Sequence, residues 1–162
     1  MSWRTAFLAQ ARSDNDLRKF LNRSQVPYSH QLHYLQMAAE KLAKGFMTSP
    51  TATDPPGFSH AAFVSCLRAL KGRPEIRRQL GYASVSAFSS FIDSLLPFAD
   101  QVERLAPTFA GQTKPNPEYP WQPTPAHEVA VPAEFDFPEL KPNTIKIIQL
   151  VDLINKLLTM AL

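Results

Sequence analysis

The sequence predicts an all-α protein, an up-and-down bundle of about five helices with a long proline-rich segment before the last helix. Apolar residues recur every three or four positions in several stretches, which is the spacing of one face of an α-helix. Five glycines and 15 prolines divide the chain into helical blocks and breaks. Because no stretch gives a convincing β-hairpin signal, we expect no sheet.

Length and composition favour a single domain over residues 1–162. The 162 residues are 44% hydrophobic and 19% charged, as in a globular protein with one core. No apolar run reaches the roughly 18–20 residues that span a bilayer, and the first residues lack a compact apolar signal core. We therefore expect a cytoplasmic protein without membrane contact.

The first two helices follow from periodicity and one proline. Apolar residues recur from Trp3 to Leu21, and Pro27 then disfavours helical geometry at Val26, which indicates a turn. The second helix, Tyr28–Met47, ends before Pro50. Its apolar stripe comprises Leu32, Leu35, Ala39, Leu42 and Phe46. Small Ala38, Ala39 and Ala43 would let a neighbouring helix approach closely.

Three further helices are predicted before the proline-rich segment. Ser59 is a plausible N-cap for a helix over His60–Leu70, which Gly72 stops. Proline at the first position then starts a short helix, Pro74–Leu80. Ser84 or Ser86 caps a long helix that ends near Leu105.

The long helix contains Pro97, which should kink it because proline removes one backbone hydrogen bond and clashes with the preceding turn. Its pattern places Phe91 and Leu95 on the inward face. We expect both to be nearly fully buried in one cluster with Leu35 and Leu42.

Residues 106–142 change in character. Nine prolines exclude a continuous helix, whereas a disordered linker rarely carries so many large rings. We predict an extended lid that packs its rings onto the helical body. The rings are Phe109, Tyr119, Trp121, Phe135 and Phe137.

The last predicted helix runs from Ile145 to about Thr159, with Asn143 or Thr144 as its cap. It is apolar on more than one face, which is wider than a surface helix needs. The lid would cover part of this excess in a single chain. We favour a symmetric homodimer, since large exposed apolar patches mark interfaces.

The stretch from Tyr28 to Lys44 is more specific than an amphipathic helix requires. It reads Tyr-Ser-His, then an aromatic residue, Gln and Ala-Ala-Glu-Lys-Leu-Ala-Lys. This order of residues resembles the second helix of HEPN domains (higher eukaryotes and prokaryotes nucleotide-binding). Ser59-His60 opening a helix and the element 116–121, Asn-Pro-Glu-Tyr-Pro-Trp, also resemble that family's order of elements. The resemblance implies a helical module that binds a protein partner, often a nucleotidyltransferase domain.

The resemblance does not extend to the ribonuclease motif. Catalytic HEPN proteins carry an Arg and a His separated by four to six residues at the start of the last conserved helix. Near Asn143 this chain has only Lys141 and Lys146. Arg23 and His30 meet the spacing formally, but they span the Pro27 turn, so we predict no catalytic residue.

The candidate ligand-binding residues are basic, because phosphates are bound by arginine and lysine. They could contact a nucleotide or RNA, although a solvated surface is the favoured alternative since no Gly-rich phosphate loop accompanies them. Tyr119 joins them as a candidate in the alternative of an RNA-cleaving HEPN toxin with a displaced or degenerate site. The basic candidates are Lys41, Lys44, Arg68, Lys71, Arg73, Arg77 and Arg78.

Metal and thiol chemistry are not expected. His30 and His33 lie one helical turn apart and His60 begins the next helix, so a three-His site is conceivable. No carboxylate accompanies them at ligand spacing, and hydrogen-bonded histidines are the favoured interpretation. The single Cys66 lies among apolar residues and is expected to be buried. We therefore predict no metal and no cofactor.

Three functions stay open at this point. The first is a non-enzymatic HEPN-like module that binds a protein partner such as a nucleotidyltransferase. The second is the RNA-cleaving toxin. The third is a nucleotide-binding module without turnover. The net charge of +3 is too small to indicate nucleic-acid binding by itself.

Overall fold

A computed structural model describes residues 1–55 and 62–160 of the chain. Within them lie seven α-helices and two 3₁₀ turns, and the one extended pairing is an isolated bridge between Trp121 and Ala130. The all-α bundle that the sequence predicts is therefore confirmed. The helices are α1 (Trp3–Leu21), α2 (Tyr28–Met47), α3 (Phe63–Leu70), α4 (Pro74–Gln79), α5 (Val85–Arg104), α6 (Pro107–Ala110) and α7 (Ile145–Met160).

The closest packing in the fold joins α1 to α2 as a helical hairpin. Ala38, Ala39 and Ala43 are all buried, as their small size predicts. Gly45 lies against Leu8 so closely that a Cβ atom there would be 2.6 Å from the leucine Cγ. A side chain at this position would displace Leu8, so glycine permits the close contact of the two helices here.

The hydrophobic core collects residues from α1, α2, α3, α5 and α7. Leu35, Leu42 and Leu95 are buried there, as predicted, and the exposed fraction of Leu42 and Leu95 is 0%. The prediction for Phe91 is wrong, because this ring is only partly buried. It lies at the edge of the core and stacks on Tyr82, with ring centroids 5.2 Å apart.

The ends of α3 and α5 are fixed by side chains. Glu103 of α5 accepts hydrogen bonds from the amides of Phe63 and Val64 at 2.8 and 3.0 Å, so a distant carboxylate stabilises the start of α3. The Ser59 cap and the His60 start that we predicted lie outside the described residues. Ser84 caps α5 as predicted, and α5 continues through exposed Pro97.

The proline-rich segment packs three of its rings onto the helices. Trp121 and Phe137 are 2% and 3% exposed, and Phe135 meets both rings edge-on. The prediction is wrong for Phe109 and Tyr119, which stay exposed. The segment is also less extended than expected, since it contains α6 and 3₁₀ turns at Pro132–Glu134 and Pro138–Leu140.

The last helix, α7, begins where it is predicted, with the Ile148 amide donating to the Thr144 carbonyl at 3.0 Å. Most of its apolar residues enter the core, but Ile145 and Ile148 are 70% and 53% exposed. Among the described residues, no helix combines the length and apolar character that crossing a membrane requires.

Truncation of a core leucine tests the helix register. Leu42→Ala should lower the free energy of unfolding by about 2–5 kcal/mol, because it leaves a cavity in the packed core. Leu17→Ala is the matched control on half-exposed surface, and we expect a change within about 0.5 kcal/mol. Urea denaturation of both variants measures the difference, and equal midpoints would contradict the register.

Candidate functional site

A cleft of about 280 Å³ opens between α1, α2 and α7. Its walls are largely aliphatic, and its polar groups come from α1, the start of α2 and the outer face of α7. The lining residues are Arg18, Asn22, Tyr28, Gln31, Leu32, Leu35, Pro142, Ile147, Ile148, Val151, Asp152 and Asn155.

Arg18 is the charged residue that distinguishes this cleft. It is 9% exposed, and its Nε donates to Asn15 Oδ1 at 3.0 Å. Asn15 in turn donates to Asn155 Oδ1 on α7 at 2.7 Å, so the guanidinium is held in a defined orientation. Within residues 1–55 and 62–160 no carboxylate comes within ion-pair distance of Arg18, and its Nη groups make no hydrogen bond. The cleft thus contains a buried cation that no carboxylate of the described residues pairs with.

Two lysines of the hairpin, unlike Arg18, do have counter-charges. Lys41 Nζ lies 2.6 Å from Asp14 Oδ2, and Lys44 Nζ lies 2.6 Å from Glu40 Oε1. Lys44 also approaches the ring of Phe7, at 5.8 Å from its centroid. These two lysines are predicted ligand-binding residues, and the structure places both in contacts internal to the hairpin.

The electrostatics of Arg18 reflect its burial. Desolvation lowers the pKa of Arg18, while the side chain stays protonated at neutral pH. Burial also raises the pKa of Tyr28, the second polar group of the cleft, to about 12. The Tyr28 hydroxyl is neutral and donates to the Leu140 carbonyl at 2.7 Å. Asp152 at the rim pairs with Lys156 at 2.8 Å and does not neutralise Arg18.

This arrangement can bind an oxyanion. A guanidinium presents a planar fork of N–H donors that matches a carboxylate or a phosphate, and such charge-assisted hydrogen bonds are the strong ones. The aliphatic walls shield the contact from water. Because the neutral Tyr28 and the paired Asp152 are the other ionisable groups of the cleft, the site is suited to binding rather than to proton transfer.

The basic cluster of α3 and α4 is partly committed to structural contacts. Lys71 Nζ contacts both carboxylate oxygens of Asp93, at 2.8 and 2.9 Å. Arg77 donates to the carbonyls of Tyr82 and Ala83 and so fixes the turn before α5.

Three arginines of the cluster are exposed. Arg78 donates to the Pro74 carbonyl at 3.3 Å, and Arg73 lies 4.0 Å from Glu75. Arg68 makes no hydrogen bond or ion pair with another described side chain. The α3–α4 surface therefore keeps positive charge in contact with solvent.

Tyr119 lies on the exposed part of the proline-rich segment. A hydrogen bond with Glu118 raises the pKa of the Tyr119 hydroxyl. Asn116 Oδ1 accepts from the amides of both residues, at 3.1 and 2.6 Å, which fixes this turn. Glu118 Oε2 also lies 3.8 Å from Nδ1 of His33, so the structure brings Tyr119 and His33 to one carboxylate.

The prediction of hydrogen-bonded histidines is wrong for His30, which is exposed and makes no side-chain hydrogen bond with a described residue, whereas the prediction of a buried Cys66 is confirmed. His30 and Arg23 are exposed near the Pro27 turn, and His60 lies outside the described residues. No group of three metal-ligating side chains occurs in residues 1–55 and 62–160. Burial raises the pKa of the Cys66 thiol to about 12, which removes its nucleophilic character at neutral pH.

Sequence reasoning did not identify Arg18. The helical period of α1 contains the signal, because Leu8, Ala11, Asn15 and Arg18 follow one another at spacings of three or four residues. Arg18 therefore stands on the buried stripe, whereas Leu17 and Phe20, two of the apolar residues between Trp3 and Leu21, are exposed.

Comparison with known proteins adds no relative. No family model, no curated protein and no solved structure matches the chain. The geometry of the described residues alone supports the interpretation of the cleft.

Replacement of Arg18 should separate stability from binding. We expect Arg18→Met to leave the free energy of unfolding unchanged or to raise it by up to about 2 kcal/mol, because it removes a desolvated charge and keeps the volume. Lys41→Met is the matched control and should cost about 3 kcal/mol, since it leaves the buried Asp14 without its partner. If urea denaturation gives the same loss in the free energy of unfolding for Arg18→Met and for Lys41→Met, Arg18 is not an uncompensated charge.

Proposed function

We propose that this chain is a non-enzymatic HEPN-like helical module, cytoplasmic, that binds a protein partner through the cleft around Arg18. The observation that carries the proposal is the buried guanidinium that lacks a carboxylate within the described chain. A charge that is already desolvated and oriented binds an incoming acid at little further cost. The resemblance to HEPN domains makes a nucleotidyltransferase the first partner to test.

The surroundings of Arg18 favour a protein over a free anion. Leu32, Leu35 and Ile147 form aliphatic walls, and half-exposed Ile148 lies at the rim. Buried arginine next to apolar surface is the composition of an interface hot spot. We infer that the partner inserts an Asp, a Glu or a terminal carboxylate between these walls.

Purification of the tagged chain from its native host tests this proposal. We expect one partner, identified by mass spectrometry, to co-purify with the wild type. The control variant Arg23→Met should retain this partner, because Arg23 is exposed just after the C-terminal end of α1. Arg18→Met should lose that partner although it folds. Retention of the partner by Arg18→Met would contradict the role of the cleft.

The exposed isoleucines of α7 also support the proposal of a symmetric dimer. Ile145 and Ile148 are adjacent on the helix surface and would each gain burial against a second copy. Light scattering at tens of micromolar should give twice the chain mass of 18.2 kDa. The double variant Ile145→Ser, Ile148→Ser should give the monomer mass, and a monomeric wild type would refute the dimer.

Nucleotide or RNA binding is the second candidate, and exposed Arg68, Arg73 and Arg78 favour it. Binding through such exposed cations weakens steeply as salt increases. If ATP raises the melting temperature of Arg18→Met as much as that of the wild type, the nucleotide binds outside the cleft, and an equal response that is lost in Arg68→Gln would place it on the α3–α4 surface.

The alternative of an RNA-cleaving toxin makes a distinct prediction. We expect no metal-independent cleavage of RNA by the purified chain, because exposed Arg23 and His30 lie in no enclosed site that would orient a phosphate. Incubation with total RNA measures this directly. Cleavage that disappears in His30→Ala but persists in His127→Ala would establish the alternative.

A further inference from the structure

A second cavity, distinct from the cleft around Arg18, lies between the C-terminal end of α5 and the proline-rich segment. Its volume is about 290 Å³, which suits a small molecule. The apolar part of its wall is formed by Leu105, Pro115, Phe135, Phe137, Pro138 and Leu140.

One polar atom in this wall is left without a partner. Gln101 Oε1 is buried and accepts no hydrogen bond from the described residues. Buried side-chain oxygens are normally hydrogen-bonded, so an isolated acceptor in a cavity indicates a donor that comes from outside. The ligand should therefore carry an N–H or O–H group at the end that enters the cavity.

The aromatic wall is held in a constrained geometry. Phe137 has φ of +44° and ψ of +64°, a left-handed conformation that is uncommon for a bulky residue. Its ring meets Phe135 edge-on, with centroids 5.0 Å apart, and Phe135 meets Trp121 in the same way at 4.9 Å. Such conformations concentrate at binding sites, and this one fixes the two phenyl rings that line the cavity.

Charges of both signs complete the lining. Arg104 is engaged by Asp100 at 2.7 Å. Lys114 and Glu139 make no ion pair with any residue in 1–55 or 62–160, and both line the cavity. One free cation and one free carboxylate together match a zwitterion better than they match a simple acid or a simple amine.

We propose that this cavity binds a free aromatic amino acid whose ring carries a hydrogen-bond donor. The ring lies against Phe135 and Phe137, and its N–H or O–H donates to Gln101 Oε1. The carboxylate faces Lys114, and the ammonium group faces Glu139. Tryptophan, tyrosine and histidine have such a ring, and the apolar wall favours tryptophan and tyrosine over the more polar imidazole.

Calorimetric titration with L-tryptophan tests the proposal on the full wild-type chain. We expect saturable binding, and at least about tenfold weaker binding of 1-methyl-L-tryptophan, which lacks the ring donor. Tryptamine and indole-3-propionate, which lack one charge each, should also bind more weakly. These comparisons use the unaltered protein, so they do not depend on the folding of a variant.

Variants then locate the site. Gln101→Met should remove the preference for L-tryptophan over 1-methyl-L-tryptophan, and Lys114→Gln should remove the preference for L-tryptophan over tryptamine. Lys141→Gln is the control, since Lys141 is exposed and pairs with Asp136. Absence of binding at millimolar L-tryptophan, or equal affinities for L-tryptophan and its ring-methylated analogue, would overturn the proposal.

Discussion

The close packing of α1 on α2 is the constraint on which the rest of the structure depends. Gly45 admits Leu8 at a distance that no side chain would allow, and buried alanines extend the contact along α2. This approach fixes the rotation of α1 about its axis. The face of α1 that carries Leu8 and Ala11 toward the core also carries Arg18 inward, two turns further on. The position of the cleft is thus a consequence of helix packing.

The interior of the hairpin contains charged groups in two different states. Lys41 and Lys44 each contact a carboxylate at 2.6 Å, so their burial is offset by a counter-charge and by hydrogen bonds. Arg18 has amide contacts only. A protein that retains an uncompensated buried charge gives up stability at that position, and the proposed binding role would supply a physical reason to retain it.

Much of the helical architecture could be predicted from the sequence, because helix periodicity, prolines and caps are local signals. The bounds of α1 and α2, the Ser84 cap and the start of α7 follow from them. The contact of Glu103 with the start of α3 could not be predicted, since it joins residues 40 apart in sequence. The prediction that Phe91 is nearly fully buried was wrong for a similar reason. Helix periodicity shows which side of α5 carries the ring, but it does not show where the core ends.

The candidate site was harder to predict than the fold. Residue type alone directed attention to Lys41, Lys44 and the arginines of α3 and α4, but function at a charged residue depends on whether a counter-charge is present. That property depends on tertiary contacts with Asp14, Glu40 and Asp93. Arg18 differs from these residues. It is a charge on an apolar stripe of α1, and only the packing of α2 and α7 shows that no carboxylate of the described residues pairs with it.

Nuclear magnetic resonance of the arginine side chains tests most directly whether Arg18 is an uncompensated cation open to an external acid. Titration of the ¹⁵N-labelled chain with acetate, at constant ionic strength, follows the Nε–Hε signal of each arginine, with Arg18→Met providing the assignment. We predict a saturable shift of the Arg18 signal and little change for exposed Arg68. An Arg18 signal that does not move, or that moves no more than Arg68, would contradict the account.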